Sequence, residues 1–128
     1  MAFITHTLNE GGHPPFEYLP ASAMSVELGM ALDFTSGKLT KASGTTVPKY
    51  FALVTKACEA GEIIPVQKLE KGVDYETAAS VAIADTLIGA KVTIATDGLR
   101  VTATATDGIA QIVSVSGNKA GDKVVVRF

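Results

Sequence analysis

Few residues in this 128-residue chain are of a type that does chemistry, and their spacing removes most of the chemistry they could do. Both histidines, His6 and His13, fall within the first twenty residues, and neither has a second ligand at metal-binding spacing. Cys58 is the only cysteine, so no intrachain disulfide can form. With no cysteine or histidine beside it, Cys58 reads as a small core or turn residue rather than a nucleophile. Asp97, Asp107 and Asp122 each border a glycine. At such turns the carboxylate accepts hydrogen bonds from nearby backbone N–H groups, so these acids are expected to hold turns rather than to act as acids or bases. There is no G-x-S-x-G elbow and no D-x-D-x-D-G calcium loop. Gly11-Gly12 and the pair Gly117 and Gly121 lack the Lys-Ser/Thr of a phosphate loop. Tryptophan is absent and aromatics are only 6%, which argues against a lectin that stacks sugars. The expectation is therefore a protein that is not an enzyme and needs neither cofactor nor metal.

The scaffold around these residues is bounded by composition. A chain of this length suits one domain and can bury about two-thirds of its unfolded surface. Hydrophobic residues make up 47% and charged residues 19%, which excludes intrinsic disorder. A formal charge of -2 provides no basic stripe for nucleic acid, so no such partner is expected. No apolar run approaches a membrane span, and the start Met1-Ala2-Phe3-Ile4-Thr5-His6 lacks the basic and apolar regions of a signal peptide. The protein is expected to be soluble, made in a cytoplasm, and without a membrane partner.

Pattern gives the fold class. Residues 88–94 (I-G-A-K-V-T-I), 97–103 (D-G-L-R-V-T-A), 109–113 (I-A-Q-I-V) and 120–126 (A-G-D-K-V-V-V) have counterparts about 60 residues earlier. These are 28–34 (L-G-M-A-L-D-F), 36–42 (S-G-K-L-T-K-A), 51–54 (F-A-L-V) and 60–66 (A-G-E-I-I-P-V). Gly29 matches Gly89, Gly37 matches Gly98, Gly61 matches Gly121 and Val66 matches Val126. Strands of about five residues separated by glycine turns predict an all-β domain: a small β-barrel, β-tulip or sandwich with internal pseudo-duplication. Its halves cover about 21–69 and 75–128. One such unit is expected to be too small to cover its own apolar face, so that the two would close a single barrel or sandwich together. Pro65 predicts an edge or a bulge, because proline cannot donate to a ladder. Residues 101–106 alternate with threonine on one face, as in a strand. Residues 74–84 are alanine-rich yet alternate Val81 and Ile83 with alanine, and are expected to be extended.

Residues 1–20 differ from the rest. Gly11-Gly12-His13-Pro14-Pro15 forbids a regular helix or strand, while Phe3, Ile4 and Leu8 precede it and Phe16, Tyr18 and Leu19 follow. This is an irregular N-terminal arm, lying either on its own barrel or against a partner.

The motifs S-G-K-L-T-K-A-S-G, F-A-L-V-T-K-A and A-G-E-I-I-P-V resemble the small decoration, or cement, proteins of tailed-bacteriophage capsids. The resemblance covers residues 28–66 and, more weakly, 88–126, roughly 60% of the chain. It implies a virion protein that binds the outer surface of the assembled head, often as a trimer at three-fold positions, and clamps adjacent capsomers. It implies the major capsid protein as partner and a homo-oligomer, with the trimer favoured. It further implies an N-terminal segment that orders by adding to capsid strands. On that reading the capsid-binding arm comprises Phe3, Ile4, His6, Leu8, Pro14, Pro15, Phe16 and Tyr18, with residues 3–8 as the pairing part. The alternatives are another phage structural β module, such as a tail-tube or head-fibre base component, or a small carbohydrate- or ligand-binding barrel.

Overall fold

The computed structural model describes residues 4–7 and 16–128, and within these the chain is all-β. The strands are β1 (Ile4–Thr7), β2 (Phe16–Pro20), β3 (Met24–Val26), β4 (Ala31–Thr35), β5 (Lys38–Lys41), β6 (Tyr50–Ala52) and β7 (Lys56–Cys58). They continue with β8 (Ile63–Lys68), β9 (Asp74–Ala79), β10 (Lys91–Val92), β11 (Arg100–Val101), β12 (Ala110–Val115) and β13 (Lys123–Arg127). A single 3-10 turn, Asp85–Leu87, is the one helical element among the described residues. Residues 74–79 are extended, as expected, with Tyr75, Thr77, Ala78 and Ala79 buried, but the strand stops at Ala79, short of the expected extended run, and the chain turns at 85–87. β11 runs parallel beside β9 at Arg100↔Ala78 and Val101↔Ala79.

The duplication is present in the hydrogen-bond pattern. β4 pairs β6 through Ala31↔Phe51 and Leu32↔Tyr50, and β10 pairs β12 through Lys91↔Gln111 and Val92↔Ala110. β6 meets β8 at Ala52↔Val66, and β12 meets β13 at Ile112↔Val126. The matched glycines share a left-handed backbone: φ is 81° and 91° at Gly29 and Gly89, and 84° and 89° at Gly61 and Gly121. That conformation costs a side-chain-bearing residue about 1–2 kcal/mol, which is why glycine recurs at the same place in both copies.

Each half closes on itself. The first sheet runs β2-β8-β6-β4-β5, and a parallel bridge from Ala21 to Leu39 returns it to the end of β2. The second runs β9-β13-β12-β10, continues through the Ile94–Val101 bridge to β11, and returns to β9. The buried side chains follow suit. Leu32, Leu39, Ala52, Ile64 and Val66 fill the first ring, and Val92, Val101, Ile112, Val124 and Val126 fill the second. The barrel-like all-β expectation therefore holds, but the halves do not share one interior. A parallel contact too short to be legible as a strand completes each ring, while Ala31, Ala42 and Phe51 of the first half are buried in the second cluster.

A seam joins the rings. Phe51 of the first half lies in the second cluster, 4.8 Å from the Tyr75 ring and 6.0 Å from Phe128, measured between centroids. Such aromatic pairs contribute about 0.5–1.5 kcal/mol each beyond their area burial. The Tyr75 hydroxyl accepts the Glu70 N–H at 3.0 Å, the Gly98 carbonyl accepts the Ala31 N–H at 2.8 Å, and Gly44 and Ile94 exchange two backbone bonds.

Two local expectations need correction. β8 is an interior strand, between β2 and β6, and Pro65 makes neither an edge nor a bulge. The Pro65 carbonyl accepts the Leu53 N–H at 3.1 Å, so its polar groups face β6, whose ladder has ended one residue earlier at Ala52↔Val66. No ladder donor is missing. Residues 101–106 also do not form a six-residue strand, since β11 ends at Val101. There the threonines bond locally instead: Thr102 Oγ1 meets Thr93 Oγ1 at 2.7 Å and accepts the Thr104 N–H at 3.0 Å.

Candidate functional site

Turn chemistry accounts for two of the three singled-out acids. Asp97 accepts the Leu99 N–H at 2.9 Å and pairs with Arg100 at 2.8 Å. Burial alone would raise the Asp97 carboxyl, but these hydrogen bonds hold it below its ordinary value of 3.8. Asp122 accepts the Lys119 N–H at 3.0 Å, and Asp107 adopts φ 54° beside Gly108. Cys58 is buried in the first core, and that burial pushes its thiol pKa up, away from the reactive thiolate. Among the described residues no cluster of three or more His, Cys, Asp or Glu is placed to hold a metal, and no helix is long and apolar enough to cross a membrane.

The expected arm divides between the two halves. Phe3, Leu8, Pro14 and Pro15 lie outside the described residues, as does His13. Ile4 and His6 belong to β1, which adds antiparallel to β9 with Ile4↔Glu76, Thr5↔Tyr75 and, after a register shift, Thr7↔Asp74. β1 is thus the terminal strand of the second sheet. Phe16 and Tyr18 belong to β2, in the first sheet. The two ends of the arm are therefore not brought together: one extends the second ring and the other is built into the first.

β2 also contributes an outward face that sequence reasoning missed. Tyr18 stands opposite Pro65 and Pro20 opposite Ile63, while Leu19 and Ile64, and Val66 beyond them, turn toward the interior. Leu53, bonded to Pro65, lies alongside. Tyr18 is 65% exposed, Ile63 58% and Leu53 37%, so this patch is apolar and accessible rather than core. The available signal was the alternation of Ile63 and Pro65 with Ile64 and Val66, but both faces of that strand are apolar and periodicity alone cannot say which is outside.

The second half presents the same register with different chemistry. Glu76 stands opposite Val125 and Ala78 opposite Lys123, so Glu76 takes the place of Tyr18 and Lys123 that of Ile63. There the two form an ion pair at 3.4 Å. Further along the same strand pair, Arg127 bonds Asp74 directly opposite it at 2.7 Å, and that carboxylate raises the arginine pKa further. Family models, curated proteins and solved structures offer no match to this chain.

Proposed function

We propose that this protein is a decoration, or cement, protein of a tailed-phage capsid, bound as a homotrimer to the major capsid protein on the outer surface of the virion. The observation that carries the reading is the apolar outward face at Tyr18, Pro20, Ile63, Pro65 and Leu53. A duplicated scaffold whose second copy seals this position with an ion pair has left the first copy open for a partner. β1 supports the same reading, because a terminal strand is where an extended capsid segment would add through backbone hydrogen bonds. Each such bond contributes a net of about 0.5–1.5 kcal/mol, and burying a side chain the size of Ile63 about 1.5–3 kcal/mol. Contacts this modest still give firm occupancy when a trimer engages several capsomers together. The repeated motifs that resemble cement proteins supply the choice of partner. A cement role calls for no catalytic group or cofactor, only a rigid body that clamps.

The test is binding to expanded heads that lack this protein. Full-length protein is expected to saturate them, and a variant lacking residues 2–16 is expected to keep its β circular-dichroism spectrum and lose binding. Saturation by the truncated protein would remove the arm from the mechanism. Failure of the full-length protein, with self-assembly into rings or tubes alone, would replace the reading with another phage structural module.

A further inference from the structure

At the far end of β8 from the apolar patch lies a cleft of about 370 Å³, within the size range of small-ligand pockets. Two loops build it: residues 47–49, leading into β6, and residues 69–71, leaving β8. Backbone bonds hold those loops together. The Leu69 N–H donates to the Lys49 carbonyl at 3.0 Å, the Lys49 N–H donates to the Leu32 carbonyl at 2.9 Å, and Tyr50 pairs with Lys68 in register. The cleft is thus formed before anything enters it, and little ordering entropy opposes a ligand.

Its chemistry is one-sided. Val47, Pro48 and Leu69 line it with apolar surface, and Val47 is 48% exposed. Lys49, Lys68 and Lys71 line it as well, an unusual concentration in a chain of net charge -2. Lys49 is engaged, with Asp33 at 3.5 Å and the Phe34 carbonyl at 3.2 Å. Neither Lys68 nor Lys71 has a carboxylate at ion-pairing distance among the described residues. The remaining polar group, the Tyr50 hydroxyl, is raised in pKa by burial and by Glu17 beside it, so it stays a neutral phenol. The walls therefore offer cationic donors over an apolar floor, with Tyr50 as the one aromatic and no carboxylate among the lining residues. The second half has no counterpart, since the positions matching Tyr50 and Lys68 are Ala110 and the seam residue Phe128.

We propose that this cleft binds an amphipathic organic anion, its apolar body on Val47, Pro48 and Leu69 and its headgroup held by Lys68 and Lys71. The site is separate from the capsid-binding face and does not depend on that reading. Octanoate is the probe, with 1-octanol (same chain, no charge) and acetate (same head, no chain) as comparisons. Titration of the full chain, followed through methyl resonances, is expected to shift Val47 and Leu69 saturably with octanoate only. In the double variant Lys68→Gln, Lys71→Gln, with melting temperature unchanged, octanoate should bind roughly 10-fold more weakly, in line with loss of two charge-assisted contacts. Equal binding of 1-octanol, equal affinity in the double variant, or the absence of saturable shifts at Val47 and Leu69 would each overturn the assignment.

Discussion

The outer faces of β2–β8 and β9–β13 share a register and oppose each other in chemistry. In the first half Tyr18, Pro20, Ile63 and Pro65 form an exposed apolar surface, and in the second Glu76 and Lys123 close the same positions with an ion pair. Interiors show the opposite trend, since Leu32, Ile64 and Val66 are matched by Val92, Val124 and Val126. The two halves are alike in the apolar residues that fill each ring and unlike on this outer face, where ring packing does not dictate the side chain. An exposed ion pair stabilises by about 0–1 kcal/mol, too little for stability to have dictated the choice. The apolar version instead leaves surface that water disfavours and a partner can cover.

The sharpest way to break the comparison is at the seam. Phe51 is a first-half residue buried in the second-half cluster, so the halves are equal in pattern but not independent. Phe51→Ala is expected to destabilise the whole chain by about 3–5 kcal/mol in urea unfolding. If fluorescence and circular dichroism then report separate transitions, the seam is the sole coupling between the rings. A smaller effect on stability, but a large one on binding, is expected from writing the second half's chemistry onto the first. Tyr18→Glu with Ile63→Lys replaces exposed residues and should leave the melting temperature nearly unchanged. It should weaken head binding by about 30-fold, the consequence of losing about 2 kcal/mol at an interface anchor. An unchanged affinity would show that the apolar face is not the contact.

The smallest effect separates the matched turns at Ser36-Gly37 and Asp97-Gly98. Only the second carries a carboxylate, and its hydrogen bonds from Leu99 and Arg100 hold the folded-state pKa below the ordinary 3.8. A lowered folded-state pKa adds stability that is complete above the unfolded value and is lost as pH falls through the depressed one. Asp97→Asn is therefore expected to flatten the fall in urea midpoint below pH 3.8. It should leave that midpoint's neutral-pH value slightly lower. An identical acid slope in both proteins would assign the effect to other carboxylates.

Much of the fold was legible because glycine and alternation report backbone geometry directly. Matched glycines with positive φ and matched valines in the cores sit where the repeat placed them, and the alanine-rich run through Ala79 is a strand because β13 pairs with it along residues 74–78. Ring closure was not legible. It depends on single parallel bridges such as Ala21↔Leu39, which leave no periodic trace. Pro65 misled because its role depends on where the neighbouring ladder stops, a fact held by Ala52 and Val66 together rather than by the proline. The arm was legible only as irregular composition, and that cannot reveal that residues 4–7 dock on the opposite half from residues 16–20. The apolar face was hidden for a similar reason, since Ile63 and Ile64 look alike until one of them is buried.

The place of β9 has a consequence for how the chain is made. Its two neighbours along residues 74–76 are β1 and β13, drawn from opposite ends of the sequence. During synthesis the first ring can close once residue 68 has cleared the ribosome. The second cannot, because β13 must slot between β9 and β12 as an interior strand. Until then β9 has β1 on one side and an open edge on the other, which makes the nascent second half the aggregation-prone stage. Early pairing by β1 covers the opposite edge of β9, so only the side that awaits β13 stays open until translation ends.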